Sequence, residues 1–238
     1  MLSENEGFRG NTIAEVNNFK LSECRVELYE RDRSDLVIVD EDELNQEVQT
    51  NGFVPEAKES FLYDNALIES LSFDHLTCFN PKISPAQPGM NLRVRSLGSG
   101  DYERGFLDLL AQLTKVGEIS KSDFLKRFNA MKSCQGTYHV TVIEDTTTQE
   151  IIGAATLVIE QKFIRGCAKK GIIEEVVVSD RYRGRQLGKL IVATLIEMGK
   201  ALGCYKVTLN CTDQMIKFYC SLGFTQEEGN ANFLQIRM

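Results

Sequence analysis

Residues 171–195, GIIEEVVVSDRYRGRQLGKLIVATL, constrain the fold more than any other stretch of the chain. The apolar β-branched run Ile172, Ile173, Val176, Val177 and Val178 predicts a buried strand, Ser179 and Asp180 break it, and apolar periodicity from Leu187 predicts a helix. Between strand and helix lies a turn rich in Gly and Arg. The first N–H groups of a helix lack intrahelical partners and carry the positive end of its dipole. Gly184 and Gly188 present no side chain to block close approach, and Arg183, Arg185 and Lys189 add positive charge. Such a turn suits a pyrophosphate, although an ordinary solvated helix start has the same residues. Neither a GxxxxGK loop followed by Ser or Thr nor a GxGxxG follows the strand, so a ligand other than the usual nucleotides is needed.

Composition narrows the class. With 42% hydrophobic and 26% charged residues, a chain of 238 residues reads as an ordinary folded protein of one large or two small domains. No run approaches the roughly 20 apolar residues of a membrane span, and MLSENEGFRG has no secretory core, so a cytoplasmic protein is expected. The seven cysteines are scattered without a C-x-x-C pair; they predict small buried hydrophobes, neither a disulfide framework nor a metal site, and no metal is expected. Residues 1–60 hold six Lys and Arg against fifteen Asp and Glu, a net of −9, which leaves +2 for the remainder. That acidic end argues against nucleic acid as a partner.

Residues 1–60 read as an appended, partly flexible acidic segment without recognisable chemistry. Residues 61–89 read as a short helix and an extended lead-in carrying Pro81, Pro85 and Pro88, a linker or a wrap over the core. The catalytic domain is expected over 90–238. Its predicted order is a strand at 91–97, a helix within 101–116 capped by Ser99 or Asp101, a helix at 120–133, strands at 138–145, 151–164 and 172–178, a helix at 186–201, a strand at 206–211, a helix at 212–222 and a strand at 232–238. This order predicts an α/β mixed central sheet with helices packed on its faces.

RYRGRQLGKLI resembles the coenzyme A loop of the GNAT acetyltransferase superfamily, whose usual form is Q/R-x-x-G-x-G/A; Arg183 takes the first place, Gly188 the last, and Gln186 stands where Gly is usual. TLVIEQKFIRGCAKKGIIEEVVVSD before it and LGCYKVTLNCTDQMIKFYCSLGF after it are similar to one branch, the glucosamine 6-phosphate N-acetyltransferases, some of which also carry Gln there. The likeness spans residues 90–238 well and 61–89 loosely.

The resemblance implies the acyl-CoA N-acyltransferase fold, with acetyl-CoA as cosubstrate. The reaction it implies moves the acetyl group to the amine of D-glucosamine 6-phosphate, giving N-acetyl-D-glucosamine 6-phosphate on the way to UDP-N-acetylglucosamine. Val176, Val177 and Val178 would offer backbone groups to the pantetheine arm, and Gly184, Arg185, Gln186, Leu187, Gly188 and Lys189 would hold the pyrophosphate. Tyr219 is the implied acid beside the departing sulfur, with Asn210 near it. The implied acceptor set is Thr114, Lys162, Phe163, Ile164, Arg165, Glu174, Glu175, Tyr205, Lys206 and Arg237, in which Lys162, Lys206 and Arg237 suit a phosphate. The resemblance also implies a homodimer whose C-terminal strands cross between subunits.

Three positions depart from the pattern: Arg165 where relatives commonly have His, Glu175 where Asp is usual, and Asn210 where relatives have a carboxylate. Asn210 keeps a hydrogen-bonding oxygen but loses a charge. No histidine is placed to take the amine proton, so a water chain, Glu174 or a backbone carbonyl stays open for that role. Another amine acceptor, or a noncatalytic acetyl-CoA-binding scaffold, also remains compatible with the residues alone.

Overall fold

The computed structural model describes residues 59–227 and 235–236. The acidic segment 1–58, the strand expected over 232–238 (apart from Gln235 and Ile236) and Arg237 lie outside the described residues. Five strands form one sheet in chain order: β1 (Leu92–Ser96), β2 (Tyr138–Asp145), β3 (Ile151–Gln161), β4 (Lys169–Val178) and β5 (Cys204–Leu209). Neighbours run antiparallel except β4 and β5, which are parallel. A parallel pair needs a crossover, here supplied by helix α5 (Leu187–Ala201).

Alternation along the strands divides the core between two faces. On one, Ile143, Ile152, Leu157 and Ile173 meet Leu187, Leu190, Ile191 and Leu195 of α5. On the other, Val140, Val142, Ala154 and Val177 meet helices α2 (Phe106–Ala111) and α3 (Lys121–Ser133) through Phe106, Leu109, Phe124 and Phe128. α5 lies tight on the sheet because Gly199 faces β5: a Cβ there would stand 2.7 Å from Val207 Cγ2. The lead-in packs as well. It carries the single-turn α1 (Ala66–Glu69), Phe61 bridges to Gly98, and Ile68, Phe73 and Phe79 are buried in the α5-side cluster.

Several expected boundaries move for physical reasons. Asp101 does not cap α2, which starts after Gly105 without a side-chain cap. Instead Asp101, fully buried, takes a bidentate bond from Arg95 at 2.7 Å, accepts from the Gly98 N–H at 2.7 Å and from Arg104 at 2.8 Å. Arg95 also donates to Glu144 on β2 at 2.8 Å. A buried charge needs paired partners, and this knot outcompetes the cap. α2 ends at Ala111, which leaves Leu113 exposed. Ser120 does cap α3, accepting from the Asp123 N–H at 3.1 Å.

β3 stops at Gln161 rather than 164, because the turn α4 (Ile164–Cys167) reverses the chain with Arg165 and Gly166 in left-handed conformations. β4 starts at Lys169 and β5 at Cys204, two residues that pair with one another. The helix expected over 212–222 is a 3-10 turn, Asp213–Met215, leading into α6 (Ile216–Cys220). The cysteines differ from expectation too: Cys134, Cys167, Cys211 and Cys220 are exposed and Cys78 and Cys204 half-buried, since each falls on a turn, an element end or the outer strand. Cys24 lies outside the described residues.

Candidate active site

β4 and β5 stay paired only from Lys169–Cys204 to Ile173–Leu209. β5 then ends while β4 continues to Val178, so among the described residues the β5-side edge of Glu174–Val178 faces no strand. On its other side β4 bulges: Thr156 pairs with Glu174 and Ala154 with Val177, which sets both Glu175 and Val176 against Ala155, with Glu175 at φ +56°. The divergence opens a cleft of about 780 Å³, a size suited to a small-molecule ligand.

Its walls come from three elements. Glu174, Glu175, Val176, Val177 and Val178 line one side, Gly184 and Gln186–Lys189 the head, and Asn210 and Tyr219 the other side. Arg183 joins them, with its guanidinium 2.5 Å from Asp180. Gly184 has φ +79°, which a side chain would strain. Gln186, at φ +61°, precedes the first turn of α5, and its left-handed conformation costs about 1 kcal/mol in a residue other than glycine. Its side chain accepts from the Asn80 N–H at 3.0 Å and donates to the Pro81 carbonyl at 3.1 Å. The free N–H groups of the first turn, the dipole of a 15-residue helix and two flanking cations suit a pyrophosphate. Arg185 does not line the cleft; its guanidinium stacks 5.0 Å from the ring of Tyr182, whose hydroxyl donates to Asp145 at 2.7 Å.

Tyr219 sits on α6 with 8% of its surface exposed, edge-on to Phe218 at 5.0 Å and Phe224 at 5.9 Å. Burial, with a smaller contribution from Cys211, pushes its hydroxyl above the ordinary tyrosine value. It is therefore protonated at neutral pH and able to donate. Cys211 also lines the cleft; burial and its neighbours Asp213 and Cys220 raise its thiol, which disfavours the thiolate a nucleophile requires. Neither histidine enters. His139 is buried on β2, where burial lowers its pKa, and His75 lies in the lead-in, 3.3 Å from Glu197. The described residues hold no group of three or more His, Cys, Asp or Glu placed for a metal ion, and no helix among them is long and apolar enough to cross a membrane.

The other expected acceptor residues that lie among the described ones are not brought to this cleft. Thr114 is exposed beyond the end of α2. Lys162, Phe163, Ile164, Arg165, Tyr205 and Lys206 gather where β3 turns into β4 and β5 begins; Lys206 pairs with Lys170, about 13 Å of strand from Asn210. Phe163 is 96% exposed, Arg165 lies 5.0 Å over the Tyr205 ring, and Lys206 stands 3.9 Å from Glu227.

Sequence reasoning missed Gln112, Leu113, Tyr182, Thr212, Met215 and Phe218, all of which line the cleft. Gln112 accepts from the Asp180 N–H at 3.1 Å, a contact across 68 positions that no local pattern announces. Phe218 had a signal: an aromatic next to Tyr219 on a short helix after an outer strand.

The Acetyltransferase (GNAT) family profile matches residues 106–224. The Drosophila melanogaster protein named probable glucosamine 6-phosphate N-acetyltransferase is 53% identical over 182 residues, 76% of this chain and 83% of that one. The glucosamine 6-phosphate N-acetyltransferase of Arabidopsis thaliana is 39% identical over 135 residues, 57% of this chain and 91% of its own. A crystal structure of the Arabidopsis thaliana enzyme superposes with a TM-score of 0.57 at 37% identity, over 62% of this chain and 97% of that one. A Trypanosoma brucei acetyltransferase superposes at 0.56 with 34% identity, over 62% and 99%. With a strand that leaves its parallel neighbour, an anion-ready turn on the following helix and a buried tyrosine lining one cleft, the chain belongs to the glucosamine 6-phosphate N-acetyltransferase family of the GNAT superfamily.

Proposed function

We infer that this protein transfers the acetyl group of acetyl-CoA to the amine of D-glucosamine 6-phosphate, giving N-acetyl-D-glucosamine 6-phosphate and CoA. The observation that carries the reading is the 53% identity over 182 residues to a relative named for that reaction. The cleft supports it residue by residue. The free β4 edge at Val176–Val178 offers backbone groups to the pantetheine amides, and the turn Gly184–Lys189 offers N–H groups and charge to the pyrophosphate. Tyr219 donates its proton to the departing thiolate; an alkyl thiol of pKa about 8.5 needs only modest help. Asn210 is uncharged and serves as a hydrogen-bonding group beside it. With Cys211 held as a thiol, direct attack by the bound amine is favoured over an acetyl-enzyme. Glu174 and Glu175 are the carboxylates that line the cleft, and the amine's proton passes to one of them or to water.

The acceptor site is completed by a second copy of the chain. Lys206, an expected phosphate-binding cation, stands with the exposed Phe163, Ile164 and Tyr205 in a patch beside β5, whose outer edge has no partner among the described residues, while the half-buried Lys162 of the same region pairs with Glu160. An open edge next to exposed apolar side chains favours pairing with another chain. In a homodimer built on that edge, the patch of one subunit faces the cleft of the other.

Acetyl-CoA-dependent thiol release by the purified protein, with glucosamine 6-phosphate beside unphosphorylated glucosamine, tests the reading. Turnover restricted to the phosphorylated sugar is the expected result. Equal turnover of both sugars removes the case for a phosphate site, and donor binding without turnover of either overturns the assignment.

A further inference from the structure

The turn that heads α5 is held from outside. Gln186 reaches away from its own helix to segment 73–81, accepting from the Asn80 N–H and donating to the Pro81 carbonyl, residues 106 and 105 positions earlier. The same segment is fixed along the body of α5. Phe73 and Phe79, with rings 6.5 Å apart, are buried in the cluster that holds Leu187 and Leu190. His75 Nε2 lies 3.3 Å from Glu197 Oε1. Gln186 and Glu197 are separated by about 16 Å of helix, so the segment grips α5 near its head and three turns further on.

A positive φ makes this tether informative. Glycine would satisfy the backbone at Gln186 without strain. A long amide there brings no relief to its own turn, and its two hydrogen bonds both go to the lead-in.

We propose that Gln186 is a positioning residue whose side chain couples the order of segment 73–81 to the conformation of the pyrophosphate-binding turn, so that donor binding tightens the segment and the segment tightens donor binding. Coupling of this kind is reciprocal. The proposal rests on the cleft being the acetyl-CoA site.

Three proteins test it: the parent, Gln186→Gly, which frees the backbone and removes the tether, and Gln186→Glu, which keeps an acceptor for Asn80 but has no donor for Pro81. Calorimetry gives the Kd for acetyl-CoA, and amide hydrogen exchange of residues 73–82 is followed with and without it. In the parent, acetyl-CoA slows exchange across 73–82. Gln186→Gly binds acetyl-CoA about tenfold more weakly and loses that slowing, Gln186→Glu falls between, and KM for the donor follows Kd while KM for the sugar phosphate holds. Unchanged donor affinity in Gln186→Gly, with the slowing intact, overturns the proposal. Weakened affinity with the slowing intact also overturns it, since Gln186 would then act on the ligand directly. A parent that does not bind acetyl-CoA would overturn the donor-site reading and the proposal together.

Discussion

The two sides of the sheet solve opposite problems. At the β1–β2 side every residue of β1 is paired, and the charges beneath it are tied to one another: Arg95 to Asp101 and Glu144, Arg104 to Asp101, Arg93 to Glu144 at 2.9 Å. At the β4–β5 side the strands part and polar backbone is left for something else to satisfy. Charges tied to one another favour stability there; backbone left open here suits a ligand. If this contrast holds, substitutions on one side change melting and on the other change kinetics.

The largest effect is expected at the closed side. Arg95→Met leaves two buried carboxylates without their main partner and should lower stability by about 3–5 kcal/mol in urea unfolding, while the affinity for acetyl-CoA at low temperature stays within about twofold. Burial pushes the carboxyls of Asp101 and Glu144 upward, but the hydrogen bonds and charge of Arg95 and its neighbours hold both below their usual range. Folded-state pKa values below the unfolded ones mean that the unfolded chain binds more protons. This contribution is complete above about pH 5 and is lost as pH falls through and below the usual carboxylate values near 4. A melting profile that stays flat from pH 6 to pH 3 would show the knot to be unimportant.

At the open side, Tyr219→Phe should lower kcat about 100-fold with Kd for acetyl-CoA and melting temperature nearly unchanged. Because burial displaces the hydroxyl upward, the parent's alkaline fall in rate should lie above the ordinary tyrosine range and be absent from the residual activity of the phenylalanine variant. Lys206→Ala should raise KM for glucosamine 6-phosphate about tenfold and leave donor binding alone; an unaltered KM would remove the edge patch from the acceptor site. The smallest effect belongs to His75→Ala, which removes a half-exposed partner of Glu197 and should cost about 0.5 kcal/mol in unfolding.

What the sequence made legible divides along similar lines. The strand, turn and helix over 171–201 could be read because a β-branched run, a Gly and Arg turn and a helical period are local signals, and the structure brings Val176–Val178, Gly184, Gln186–Lys189, Asn210 and Tyr219 around one cleft. Asp101 was misread because its partners, Arg95, the Gly98 N–H and Arg104, are assembled by tertiary contacts, while a carboxylate ahead of an apolar helix looks like a cap. Lys162–Arg165 and Tyr205–Lys206 were named as one set with Glu174 and Glu175, yet in a single chain they lie in the turn after β3 and at the start of β5, at a distance from those carboxylates on β4. In the homodimer proposed above they would serve the other subunit's cleft, and sequence spacing carries no record of that.

Gly199 gives α5 a mechanical meaning. The tail of the helix rests on Val207 with no room for a methyl group, and its head, roughly 20 Å away, carries the turn that lines the cleft. A rod supported in this way is a lever. Lifting its tail by about 1 Å would tilt it by a few degrees and shift the turn at its head relative to β4. The spacing between one glycine and one valine thus calibrates a binding site that neither residue touches.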